Sequence, residues 1–217
     1  ADGVNIHAKD AGTRNVRLDQ SVIRNTGDDA LAMFSEGNTV ASSAYTYNTV
    51  LLPLLANGVG IYGGAGNRAE DNLITDTVVA SAGIAISTRF NPVPFSGTTT
   101  VARNTVTRAG GYEYNWNSQF GAIWIYADTS DITTPVVISQ NTVQDSLYQG
   151  LLLSYQRTIS NLTVDHLTIA GAGTYGIELN AAGSATVSYV TVTGAASGGL
   201  NNLTGYTLVR GAGNSGF

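Results

Sequence analysis

The sequence predicts an all-β chain wound as a right-handed parallel β-helix, a β-solenoid of about eight coils that forms a single domain over residues 1–217. Three observations carry that expectation. The 217 residues include 26 glycines and only 12% charged side chains, with Asn, Thr and Ser supplying the polarity, a mixture that disfavours helix and suits short strands joined by corners. A phrase of Gly or Ala followed by alternating apolar residues recurs as Gly3-Val4-Asn5-Ile6, Ala30-Leu31-Ala32-Met33, Gly60-Ile61, Gly83-Ile84-Ala85-Ile86, Ala122-Ile123-Trp124-Ile125, Gly150-Leu151-Leu152-Leu153, Gly176-Ile177-Glu178-Leu179 and Gly199-Leu200. Its intervals, about 27, 30, 23, 39, 28, 26 and 23 residues, are those of one solenoid turn each.

A second phrase precedes the first by roughly ten residues. It pairs a polar residue with alternating apolar ones, as in Asp71-Asn72-Leu73-Ile74, Arg103-Asn104-Thr105-Val106, Gln140-Asn141-Thr142-Val143 and Asp165-His166-Leu167-Thr168-Ile169. Each coil therefore offers at least two short strands separated by Gly, Asn and Asp, residues that tolerate left-handed corners. Stacking the coils puts apolar side chains in inward ladders and the Asn residues in one column, where an amide ladder with a structural role is expected. The 39-residue interval holds Gly110 to Phe120, too aromatic for a bare turn. The segment Ser87 to Phe95 carries two of the four prolines and reads as a shaped rim.

Composition also excludes. A net charge of −5 and a pI near 4.8 leave no basic surface for a phosphate backbone, so no nucleic-acid partner is expected. The longest apolar stretch, Val50 to Leu55, contains Pro53 and is far shorter than the roughly twenty residues of a membrane span. Cysteine is absent, and neither His7 nor His166 has a partner at metal-ligand spacing, so no zinc site is expected.

The repeat register isolates one cluster of charge. The residues just before each Gly or Ala are Asp2, Asp29, Val59, Ala82, Gly121, Gln149, Tyr175 and Gly198, which places two carboxylates on consecutive rungs with Asp28 beside them. Like charges this close raise one another's proton affinity, so the group can supply both an acid and a base, the requirement of glycosidic hydrolysis. An Asp-Asp corner can equally cap a turn or hold structural calcium. Asp76, Asp128, Asp131, Asp145 and Asp165 have no partners in this register and read as solvated corners. His166 reads as a structural member of the Asn column, whereas His7 can face the carboxylate cleft.

Aromatic residues supply the second clue. Tyr62, Tyr112, Tyr114, Trp116, Trp124 and Tyr126 fall in or beside the long loop, and Trp124 points outward if Ile123 and Ile125 point in. Flat rings with polar tips suit pyranose faces. His7, Tyr62, Arg89, Trp116 and Trp124 are the candidate substrate-binding residues, and Asp2, Asp28 and Asp29 the candidate catalytic ones.

Three stretches, Ala1 to His7, Arg24 to Met33, and Leu52 to Asn57 running into Ile61-Tyr62-Gly63-Gly64, resemble glycoside hydrolase family 87, the α-1,3-glucanases and mycodextranases. The resemblance extends to Arg89-Phe90-Asn91 and the closing Gly213 to Phe217. It implies a secreted, extracellular microbial hydrolase acting on an α-glucan, inversion at the anomeric carbon, and a catalytic trio matching Asp2, Asp28 and Asp29. No cofactor is implied. By analogy with the more distant polygalacturonases, Asp28 is the general acid while Asp2 and Asp29 hold the water. Family members carry coils ahead of Asp2, so the chain is expected to be the carboxyl-terminal part of a larger catalytic domain, with the missing N-terminal portion as a partner. Alternatives on the same scaffold are a calcium-dependent polysaccharide lyase, a polygalacturonase-like hydrolase and a non-catalytic sugar-binding solenoid.

Overall fold

The computed structural model describes residues 1–77 and 79–217, and of Tyr155 the strand position alone. It is the expected parallel β-helix, with three faces per coil. The front face stacks Val4–His7, Leu31–Phe34, Val59–Tyr62, Ile84–Ser87 and Ile123–Tyr126, then the leading parts of Leu151–Asp165 and Tyr175–Ser188, and last Gly198–Asn202. All neighbours on this face are parallel. Eight front rungs at the usual strand spacing make a rod about 34 Å long.

Alternation explains why these segments coil. Leu31 and Met33, Val59 and Ile61, Ile84 and Ile86, Ile123 and Ile125 lie in register and are fully buried, so each rung adds two apolar side chains to continuous inward ladders. The second face contributes Tyr45, Ala69, Val101 and Ile138, and the third Val50, Ile74, Val106 and Val143. No rung could bury these residues alone; stacking is what removes them from water.

The expected amide ladder runs along the corner before the third face. Asn48 Nδ2 donates to Asn72 Oδ1 (3.1 Å), Asn72 Nδ2 to Asn104 Oδ1 (2.9 Å), and Asn104 Nδ2 to Asn141 Oδ1 (3.0 Å). His166 is not in this column. The pairing of Thr142 with Thr168 puts Leu167 above Asn141, and His166 one residue earlier. There, at φ 51°, it joins Tyr47, Asp71, Arg103, Gln140 and Tyr189 in a column of left-handed corners and stacks on Tyr189 at 4.5 Å. Asp76 and Asp145 occupy a second left-handed corner, and Asp76 is held by Arg108 (Nε to Oδ1 2.6 Å).

A second register differs from expectation. Leu31 pairs with Val59 and Ala32 with Gly60, so Gly58, not Gly60, stands above Ala30, and Asn57, not Val59, stands above Asp29. Val59 points into the core. In coils six and seven the corner between front and second faces is smoothed into single long strands, with register shifts between Ser154 and Thr158 and between Ile159 and Leu162. The aromatic loop folds into a hairpin, Tyr112–Glu113 against Ser118–Gln119.

Candidate active site

One column of front-face positions reads Asp2, Asp29, Asn57, Ala82, and a parallel column His7, Phe34, Tyr62, Ser87. Between them run the outward residues Asn5, Ala32, Gly60, Ala85 and Trp124. Three consecutive rungs with little or no side chain leave a hollow floor, closed at one end by the Trp124 indole. The result is a groove of about 430 Å³ that Asp2, Asp28 and Asp29 all line, within the ordinary size of a small-ligand site.

Asp29 is 5% exposed, and all its side-chain partners are donors. Its Oδ1 accepts from the Asn57 backbone N–H (2.7 Å) and side-chain amide (2.9 Å), and its Oδ2 accepts from the Tyr62 hydroxyl (2.8 Å). Asn57 is oriented in turn, because its own Oδ1 accepts from Ser81 Oγ (2.7 Å) and the Ala82 N–H (3.1 Å), leaving its amide nitrogen to face Asp29 and Tyr62. Burial pushes the Asp29 carboxyl up to about 6, against the lowering pull of the Tyr62 and Asn57 hydrogen bonds and with a further push from the Asp2 charge. The Tyr62 hydroxyl, buried beside that carboxylate, is raised well above its ordinary value and stays a donor.

Gly60 makes this geometry possible. A Cβ there would stand 2.8 Å from Asp29 Oδ2 and 2.7 Å from the Tyr62 ring, so only a bare Cα lets the phenol fold back onto the carboxylate.

Asp28 is exposed; its Oδ1 accepts from the Asp29 N–H (3.1 Å), and among the described residues no donor reaches its other oxygen. Asp2 is half-buried and accepts from Asn5 Nδ2 (2.7 Å). The structure thus brings the three expected carboxylates to one groove. Of the aromatic and basic candidates, Tyr62, Arg89 and Trp124 line it. Arg89 has no carboxylate partner among the described residues and is clamped between rings, its guanidinium 4.5 Å from the Phe90 centroid and 4.1 Å from that of Trp116. Trp116 lines the neighbouring cavity. His7 does not line the groove; it stacks on Phe34 and is bound to Glu36 (2.8 Å).

Residues 1–204 match the family described as the α-1,3-glucanase catalytic domain D2. The chain belongs to that family, within glycoside hydrolase family 87. The D2 chain is similar over its full length to the catalytic unit of a thermostable α-1,3-glucanase of this family from Streptomyces thermodiastaticus strain HF3-3, with 34% identity and a TM-score of 0.88, covering 42% of that chain. It also resembles an aspartate-to-alanine variant of a family 87 α-1,3-glucanase catalytic domain solved with tetrasaccharides, at 25% identity and TM-score 0.88 over 99% of this chain and 43% of that one. This chain therefore spans less than half the length of the solved relatives it matches. None of the curated proteins compared matches it.

The D2 residues that sequence reasoning missed are Asn57, Gly60 as a spacer, Phe90 and Ser81. Asn57 was findable: with Gly58 as the repeat position, the intervals from Gly3 become 27, 28 and 25 residues, more even than with Gly60. Phe90 entered only within the Arg89-Phe90-Asn91 stretch of the resemblance, since its place beside Phe34 and Tyr62 (centroids 6.2 and 5.8 Å) depends on how the rim folds back.

Proposed function

We propose that this chain carries the catalytic centre of a secreted hydrolase that cleaves α-1,3-glucosidic linkages of an α-glucan with inversion. The observation that carries this reading is the all-donor setting of Asp29 in a groove shared with Asp2 and Asp28, in a chain of this family.

The roles follow from hydrogen-bond capacity. Three donors occupy three of the four acceptor sites of the Asp29 carboxylate, leaving one on Oδ2 for a water. Among the described residues no acceptor stands ready to take a proton from Asp29, so it serves as a carboxylate base, and Asp2 on the preceding rung is the second acceptor for the same water. Asp28, exposed and with one oxygen free of protein donors, is the general acid. It gives its proton to the glycosidic oxygen as the C1–O bond breaks, while the water loses a proton to the Asp2–Asp29 pair and its oxygen bonds to C1 from the opposite face. Arg89 and the Tyr62, Phe90 and Trp124 rings hold the sugar. The reaction uses no cofactor.

Insoluble α-1,3-glucan, dextran and polygalacturonate are each incubated with the protein while reducing ends and the first anomer released are followed. The β-anomer from α-1,3-glucan alone is expected, with Asp28→Asn reducing the rate at least a thousandfold. Release of the α-anomer, or Asp28→Asn at near wild-type rate, overturns the assignment.

A further inference from the structure

The wall of the carboxylate groove contains a reactive pair of residues. Asn57-Gly58 is the only Asn-Gly step in the chain, and the structure demands both residues where they stand. A Cβ at Gly58 would lie 2.4 Å from Ile74 Cγ2 and 2.6 Å from the Gly83 carbonyl oxygen. At Asn57 the surroundings call for a donor and an acceptor on one short side chain: Nδ2 donates to Asp29 Oδ1 and to the Tyr62 hydroxyl, while Oδ1 accepts from Ser81 Oγ and the Ala82 N–H. The fold therefore retains the dipeptide that loses its amide most readily, because a glycine nitrogen with no Cβ beside it approaches the Asn side chain unhindered.

The chemistry is a ring closure followed by hydrolysis. The Gly58 backbone nitrogen bonds to Asn57 Cγ and gives up its proton as the Cγ–Nδ2 bond breaks, and ammonia leaves, which yields a five-membered imide. Water then adds to one imide carbonyl or the other and opens the ring to an aspartyl or an isoaspartyl residue. One water is consumed and one ammonia released.

The native fold blocks the first step. Asn57 is 4% exposed, and four hydrogen bonds hold its amide. The peptide unit itself is tied to the rungs on both sides, with the Asn57 carbonyl accepting from the Ala30 N–H (2.9 Å) and the Gly58 N–H donating to the Ala82 carbonyl (3.1 Å). Cγ meets the Gly58 nitrogen only where these bonds are given up, in an opened chain. Neither product fits back. An aspartyl oxygen in place of Nδ2 would face Asp29 Oδ1 at 2.9 Å, setting a second buried carboxylate against the first. An isoaspartyl residue lengthens the main chain by a methylene and moves Gly58 off its ladder.

We propose that Asn57-Gly58 is a modification site, held off by the native hydrogen bonds, whose deamidation makes opening of this rung irreversible. The site and its protection stand on the structure alone; that modification also ends hydrolysis rests on the function proposed above.

The test holds one sample of the chain unfolded in guanidinium chloride, which keeps it dispersed, and another folded at the same temperature and pH. At intervals both are diluted into buffer, and peptide masses, the native melt and turnover of α-1,3-glucan are followed. The mass gain of an amide-to-acid exchange is expected first at Asn57 in the unfolded sample, with the refolded fraction falling in step, and at least about a hundredfold more slowly in the folded sample. Asn57→Ala, which cannot close the ring, should refold after the same hold; if that variant does not fold, the peptide masses of the parent decide alone. Refolding lost without modification at position 57, modification equally fast in the folded chain, or modified chains that regain the native melt would each overturn the proposal. Refolding that falls with the modification, in a chain that hydrolyses no glucan, upholds it and overturns the catalytic reading instead.

Discussion

Asn57 donates to Asp29 twice, from its backbone at 2.7 Å and from its side chain at 2.9 Å, both to the same carboxylate oxygen. Because Ser81 and Ala82 fix the amide's orientation, Asn57 acts on the reaction through Asp29. Asn57→Ala keeps the backbone donor and removes the side-chain one. Losing a donor weakens the downward pull on a carboxyl that burial already raises. The acidic limb of the pH–rate profile should therefore move to higher pH, with kcat falling ten- to a hundredfold. A rate loss with an unshifted limb would mean that Asn57 is structural only.

Asp29 also sets a pH dependence of stability. Its carboxyl is raised from the ordinary 3.8 to about 6, so between those values the folded state binds more protons than the unfolded one. Stability from this group is fully present below about 3.8 and is lost as pH rises through about 6, a difference of roughly 3 kcal/mol at 1.36 kcal/mol per pH unit. Asp29→Asn removes the titration. The variant should be inactive yet gain stability relative to the parent at pH 7, and the gain should vanish by pH 4. Denaturant melts at both pH values check it. The paired corner carboxylate Asp76, held low by Arg108, slopes the other way, but it is common to both proteins and cancels in the difference.

Gly60→Ala tests the spacer. The added methyl would meet Asp29 Oδ2 and the Tyr62 ring closer than van der Waals contact allows, so one of them must move. A displacement of this order costs about a hundredfold in rate, while the overpacking cost is about 1–3 kcal/mol. Activity assays alongside melts should show the catalytic loss far exceeding the fraction unfolded.

Arg89 owes its position to two rings, not to a carboxylate. Arg89→Lys keeps the charge but loses the flat guanidinium that stacks on Phe90 and Trp116. At about 0.5–2 kcal/mol for the lost contacts, KM should rise roughly two- to thirtyfold with kcat little changed. An equal fall in kcat would place Arg89 at the transition state instead.

The legible part of this molecule is what repeats. The alternating apolar phrase located seven of the eight front rungs in register, and the Asp2 and Asp29 column followed from it. The slip at the third rung arose because Gly58 and Gly60 both satisfy the phrase, and a two-residue shift preserves which side chains face inward. His166 was misplaced because apolar Leu167, with no amide to show its place, takes the ladder position above Asn141. Tyr47, Leu52 and Arg103 hold left-handed corners that their residue types do not announce. The hairpin and rim that wall the groove repeat nothing, and their folding is set by the front face beneath them.

The amide ladder gives the last prediction. Asn104 takes part in six hydrogen bonds among the described residues: its Nδ2 donates to Ala69 O and Asn141 Oδ1, its Oδ1 accepts from both nitrogens of Asn72, its backbone N–H donates to Asn141 Oδ1, and its backbone carbonyl accepts from the Thr142 N–H. Asn104→Leu keeps the volume and the backbone bonds but strands the Asn72 donors and the Ala69 carbonyl, all buried. Unsatisfied buried groups cost about 1–3 kcal/mol each, so a loss of roughly 3–5 kcal/mol is expected, lowering Tm by about 6–20 °C for a chain of this size. At the assay temperature the folded fraction should turn over substrate normally, since the ladder lies on a different corner from the carboxylates. The solenoid admits apolar residues in this column, Leu167 and Val190, between the amides Asn141 and Asn214, so Asn104→Leu fails because its own neighbours on both sides are amides. The double change Asn104→Leu with Asn141→Leu should cost less than the sum of the single changes, a non-additivity that a double-mutant cycle of melts would measure.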